Sequence, residues 1–100
     1  MTYGLSEHTI TKIQEALRDI PAVVSATIYG SRARGDYHSG SDIDLTLSGE
    51  ELTYTDLLNA YTKLDDLMLP YTFDLSIFSR ITNPLLRQNI LRDGKELYRE

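Results

Sequence analysis

One hundred residues, 41% of them hydrophobic, suffice for a single domain, residues 1–100, built around one core. Fifteen acidic against ten basic residues leave a formal charge of −5, which argues against free nucleic acid as the main partner. The chain has no cysteine, which excludes disulfides and cysteine–zinc sites. It also has no signal-peptide pattern over Met1–Glu7 and no apolar run near membrane-spanning length, so a soluble cytoplasmic protein without membrane contact is expected.

In chain order, Ser6 caps a first helix whose Ile10, Ile13, Leu17 and Ile20 recur at helical spacing, and Pro21 ends it. Val23 to Tyr29 reads as a strand stopped by Gly30. The polar stretch Gly30–Ser41, with Gly30, Gly35 and Gly40, predicts a turn, one helical turn around Arg32 and a mobile loop. Asp42 to Leu47 alternates as a half-buried strand, with Ile43, Leu45 and Leu47 opposed to Asp42, Asp44 and Thr46. A second long helix is predicted from Thr53 to Met68, with Leu57, Tyr61, Leu64 and Met68 on its inner face and Pro70 as its stop. Tyr71 to Phe78 alternates again, Phe73, Leu75 and Ile77 against Thr72, Asp74 and Ser76. Asn83–Pro84 starts a last helix, Gly94 ends it, and Lys95–Tyr98 forms a short strand. The expected fold is α/β (α+β): a mixed, about four-stranded sheet with helices packed on one face and the acids on the other, open face.

On a strand, Asp42 and Asp44 emerge on one face roughly 6–7 Å apart. Two carboxylates so placed repel each other and gain most from a shared divalent cation. Asp74 lies on the polar face of another strand, and three acids on one face suit two Mg²⁺ ions about 3.5–4 Å apart, with Mn²⁺ as an alternative that the same hard oxygen ligands suit. Upstream, Gly30 lets the backbone approach a phosphate, Ser31 offers its amide and hydroxyl, and Arg32 and Arg34 can neutralise a triphosphate. A phosphate cradle beside metal-binding acids is what nucleotidyl transfer requires.

The run Gly30-Ser31-Arg32-Ala33-Arg34-Gly35, followed by Ser41-Asp42-Ile43-Asp44-Leu45, resembles the signature of the DNA polymerase beta nucleotidyltransferase superfamily. The similarity is greatest to its short MNT branch, with Phe73-Asp74-Leu75 matching the third motif and Ile81 to Tyr98 the ending. The resemblance implies a polymerase beta palm-like fold, Mg²⁺ on Asp42, Asp44 and Asp74, and the donor triphosphate on Gly30 and Ser31. It also implies ATP as the donor and an antitoxin role beside a HEPN-type helical toxin, whose tyrosine would receive AMP within a hetero-oligomer. A stoichiometric, non-catalytic antitoxin and a small-molecule nucleotidyltransferase are the alternatives.

Other patterns carry less. Gly30 and Gly35 have the outer spacing of a Walker A loop, but Asp36-Tyr37 stands where Lys-Ser/Thr is required. Arg34-Gly35-Asp36 is a chance adhesion tripeptide. An ion pair of Arg32 with Asp36 or Asp44 is the plain alternative to its phosphate contact. Tyr61 is expected in the core, and Tyr3, Tyr37 and Tyr54 on a partner surface.

Overall fold

The computed structural model describes residues 2–100; Met1, which begins the segment that lacks a signal-peptide pattern, lies outside them. Helix α1, Glu7–Arg18, starts where the Ser6 hydroxyl accepts a hydrogen bond from the Thr9 amide at 3.1 Å, and it buries Ile13, Ala16 and Leu17 on one stripe. Strand β1 is Ser25–Tyr29, two residues shorter than expected, because the Val23 amide closes a turn onto Ile20. The short helix α2, Ser31–Arg34, follows Gly30 directly, and β2 covers Ile43–Ser48. Helix α3 is Tyr54–Asp65, opened by a capping box between Thr53 and Asp56. Strand β3, Phe73–Ile77, leads into a single 3₁₀ turn, Phe78–Arg80. Helix α4, Pro84–Asp93, is capped by Asn83, and β4, Lys95–Arg99, completes the sheet.

The sheet order is β3-β2-β1-β4, with β1 antiparallel to both neighbours and β2 parallel to β3. A parallel pair needs a crossover, and α3 supplies it. Leu5, Ile13, Leu17, Val23, Ile28, Ile43, Leu45 and Leu47, all fully buried, form the centre of the core between this sheet and helices α1 and α3. Helix α4 departs from the expected one-sided arrangement. It packs on β1 from the other face: a Cβ at Gly94 would point at Ile90 O and lie 2.6 Å from the Thr27 methyl, and buried Ile90 stands outside the main core.

Two expectations for α3 are corrected. The helix ends at Asp65 because the amides of Leu67 and Met68 reach back only three residues, to Leu64 and Asp65, and Met68 then turns left-handed at φ 56°. Met68 is thereby 87% exposed rather than on the inner face. Tyr61 is likewise not core. Ala60 and Leu64 occupy the buried stripe, while Tyr61 is 44% exposed and its hydroxyl donates to Phe73 O at 3.0 Å. Thr72 O already accepts from Ile43 on β2, so the next carbonyl faces the free edge of β3, and Tyr61 caps it.

Leu17→Ala should cost about 2–5 kcal/mol of unfolding free energy by leaving a cavity under the sheet. Leu91→Ala, at a side chain 73% exposed, should change it by less than about 0.5 kcal/mol. Urea denaturation followed by circular dichroism measures both.

Candidate active site

Sheet register assembles the polar face. Tyr29 on β1 stands opposite Asp44 on β2, and Asp44 stands opposite Asp74 on β3, so three side chains meet in one row across the central strands. Adjacent strands lie about 4.8 Å apart, which sets the two carboxylates close together. The next row is Thr27, Thr46 and Ser76, in which the Ser76 hydroxyl donates to Thr46 Oγ1 at 2.9 Å. Thr46 is only 1% exposed, so this bond satisfies a buried hydroxyl directly beneath the acids. Asp42 precedes β2 by one residue and is exposed, as is Asp74, whereas Asp44 is half-buried. Among the described residues no three carboxylates or imidazoles converge on one point; the acids stand as the facing pair Asp44–Asp74, with Asp42 alongside.

The electrostatics follow from that row. Burial, then the charge of Asp74, then that of Asp42 push the Asp44 carboxyl up to about 6, and Arg34 and Arg32 offset part of this. Burial also raises the Tyr29 phenol; the Ser76 hydroxyl beside it works the other way, and the charges of Asp74 and Asp44 add to the rise. The row thus concentrates negative charge where solvent is partly excluded.

Gly30 joins β1 to α2 at φ 75° and ψ −154°, a conformation that residues with a Cβ rarely adopt. A Cβ at Gly30 would collide with the Asp44 carboxylate, so the turn and the acid are in direct apposition. The first amides of a helix have no intrahelical partner, so the amide and hydroxyl of Ser31 are donors beside Asp44. Gly35, left-handed at φ 94°, ends α2 after one turn.

The two arginines of this turn diverge. Arg34 is partly exposed and pairs with Asp36 at 3.3 Å. Arg32 is 2% exposed and turned inward: its Nε and Nη2 donate to Ser41 O at 3.1 and 2.9 Å, and its Nη1 donates to Tyr3 O at 3.0 Å. Its guanidinium is thus engaged by backbone carbonyls, and it pairs with neither Asp36 nor Asp44. Tyr29, Thr46 and Ser76 line the polar rows, and no sequence motif marks them. Alternation already puts Thr46 and Ser76 on the polar faces, but only the register shows that they share a row. A hollow of about 480 Å³, lined by Val24, Ser48, Gly49 and Phe78 among others, lies at the opposite end of β1 and β2. The acids occupy an open sheet face.

A carboxyl whose pKa is higher in the folded than in the unfolded chain is a liability once ionised. Near pH 4 Asp44 is still protonated in the folded state; as pH rises toward about 6 the unfolded chain releases its proton first, and stability falls. Asp44→Asn should therefore raise the melting temperature of the metal-free chain at about pH 7.5, with a much smaller change near pH 4. An equal change at both pH values in scanning calorimetry would show that the carboxylate is not under repulsion.

The family model "Polymerase beta, Nucleotidyltransferase" matches residues 11–100, nine-tenths of the chain. No curated protein sequence matches it. Among solved structures, a toxin–antitoxin with AMP-PNP is 26% identical, with a TM-score of 0.74 over 91% of this chain and 73% of that one. A point mutant of the toxin–antitoxin MntA–HpeT is 28% identical, with a TM-score of 0.71 over 96% and 74%. The tri-AMPylated Shewanella oneidensis HEPN toxin in complex with MNT antitoxin, at 22% identity and a TM-score of 0.70 over 96% and 74%, shares the fold. The chain belongs to the polymerase beta nucleotidyltransferase family and is a nucleotidyltransferase of the MNT type.

Proposed function

We propose that this chain transfers AMP from ATP to a hydroxyl of a HEPN-type partner protein in the cytoplasm, and that it thereby acts as the antitoxin of the pair. The observation that carries the reading is the apposition of the Gly30–Ser31 turn to Asp44, with Asp74 facing Asp44 across the strands. Support for the partner comes from the similar structures: one is a toxin–antitoxin with AMP-PNP, and another contains a tri-AMPylated HEPN toxin.

Asp42, Asp44 and Asp74 would hold Mg²⁺. The fit rests on the crowded carboxylates that push Asp44 up to about 6, and on an all-oxygen donor set suited to a hard cation. The ion, when bound, neutralises charge on the triphosphate and on the departing pyrophosphate. The Ser31 amide and hydroxyl orient the β- and γ-phosphates at the α2 N-terminus. Arg34 exchanges its exposed, weak pair with Asp36 for a phosphate oxygen. The acceptor oxygen bonds to the α-phosphorus as the bond to the β-phosphate oxygen breaks, and pyrophosphate leaves. Exposed Asp74 takes the hydroxyl proton.

Incubating the chain with ATP, Mg²⁺ and the product of the adjacent gene should add one or more AMP units to that partner by intact mass. Asp42→Asn with Asp44→Asn should abolish the gain while the complex still forms. Full neutralisation of the partner by this double variant would establish stoichiometric blocking instead. Labelling of a hydroxylated small molecule such as an aminoglycoside, with none on the partner, would assign a small-molecule acceptor.

A further inference from the structure

Arg32 is the single arginine buried among the described residues, and it has no carboxylate partner there. Burying a guanidinium is costly, and an apolar side chain of similar volume commonly packs as well or better, so packing alone is a poor reason for it. What holds this one is a set of carbonyls and ring faces. Besides its bonds to Ser41 O and Tyr3 O, its guanidinium carbon lies 4.9 Å from the centre of the Tyr71 ring and 5.3 Å from that of Tyr37.

These groups come from separate parts of the chain, and two of them adjoin the acids. Ser41 is bonded to Asp42, and Tyr71 lies two residues ahead of β3 and three before Asp74. The third is an N-terminal hook in which the Thr2 and Leu5 amides bond to each other's carbonyls at 3.1 and 2.9 Å. Tyr3 and Gly4 are left-handed there, at φ 59° and 71°, and Leu5 anchors the hook in the core. A Cβ at Gly4 would lie 2.9 Å from Arg32 Nη1 and closer still to the Tyr37 ring, so the hook is shaped to the guanidinium.

We propose that Arg32 is a positioning residue for the metal–nucleotide site, fixing Asp42 through Ser41 O and Asp74 through Tyr71, with the Tyr3–Gly4 hook as its backstop. Lysine keeps the charge but cannot supply the fork that reaches Ser41 O twice and Tyr3 O once. The inference rests on the reading of Asp42, Asp44 and Asp74 as Mg²⁺–ATP ligands, and the test separates the two.

Calorimetric titration of the chain with Mg²⁺ and AMP-PNP, alongside melting curves, reads binding apart from turnover. Arg32→Lys should stay folded and bind roughly 10- to 100-fold more weakly. Tyr71→Leu should weaken binding similarly, and Tyr71→Phe, which keeps the ring, should bind like the unsubstituted chain. Unchanged affinity in folded Arg32→Lys, with only a lowered melting temperature, would reduce Arg32 to a packing role and overturn the inference. If Arg32→Lys does not fold, unchanged affinity in Tyr71→Leu overturns it in the same way. No binding by the unsubstituted chain would reject the ligand reading and this inference with it.

Discussion

The row Tyr29–Asp44–Asp74 is the constraint on which the rest of this structure depends. Two carboxylates in adjacent strands of a packed sheet repel, and in an ordinary domain such a pairing destabilises the fold. Here the opposite face carries Ile28, Leu45 and Leu75, which join or pack against the core, so the same register that buries the apolar set forces the acids together. Slipping β3 by one residue to separate them would turn Phe73 and Ile77 out of the core. Apolar burial outweighs the repulsion, and the core thereby holds the site in a charged arrangement it would not adopt by itself.

The turn after β1 is subject to the same arrangement. Gly30 must admit the Asp44 carboxylate where any other residue would carry a Cβ, and α2 begins immediately afterwards. The Gly30–Ser31 turn and the acids are consequently neighbours by construction. Placing α4 on the β1 side of this face leaves β2 and β3 as its exposed part, and Asp44 and Asp74 lie there.

Much of this can be read from the chain. The alternation at Ile43–Leu47 and Phe73–Ile77, the breaks at Pro21, Gly30 and Pro70, and the Asn83–Pro84 start all correspond to observed boundaries or faces within a few residues. Local patterning is a short-range property, and these features are short-range. The register is not legible there, because it depends on which strands become neighbours; Thr46 and Ser76 can be placed on polar faces but not in one row. The surroundings of Arg32 are hidden for a related reason. Beside a Gly-Ser turn an arginine reads as a ligand, and only the fold brings Tyr3 O, Ser41 O and two rings around it. Tyr61 is misplaced by helical periodicity, which does not reveal an uncapped strand edge beside the helix. Retention of turnover and identity of the acceptor lie beyond such patterns altogether, since both belong to chemistry shared with another molecule.

The pairing of β1 with β4 has a kinetic consequence. β1 is a central strand, yet one of its two neighbours is the last strand of the sheet, with Ser25 opposite Arg99 and Gln14 Nε2 donating to Leu97 O at 2.8 Å. These are contacts of high sequence separation, and loop-closure entropy must be overcome before they yield any stabilisation. As the polypeptide emerges during synthesis, the strand that leads into the Gly30 turn waits with one hydrogen-bonding edge bare until Lys95–Arg99 arrives. Closure of the β1–β4 edge is therefore a late event in folding, whereas the Tyr29–Asp44–Asp74 row draws only on the three strands synthesised before it.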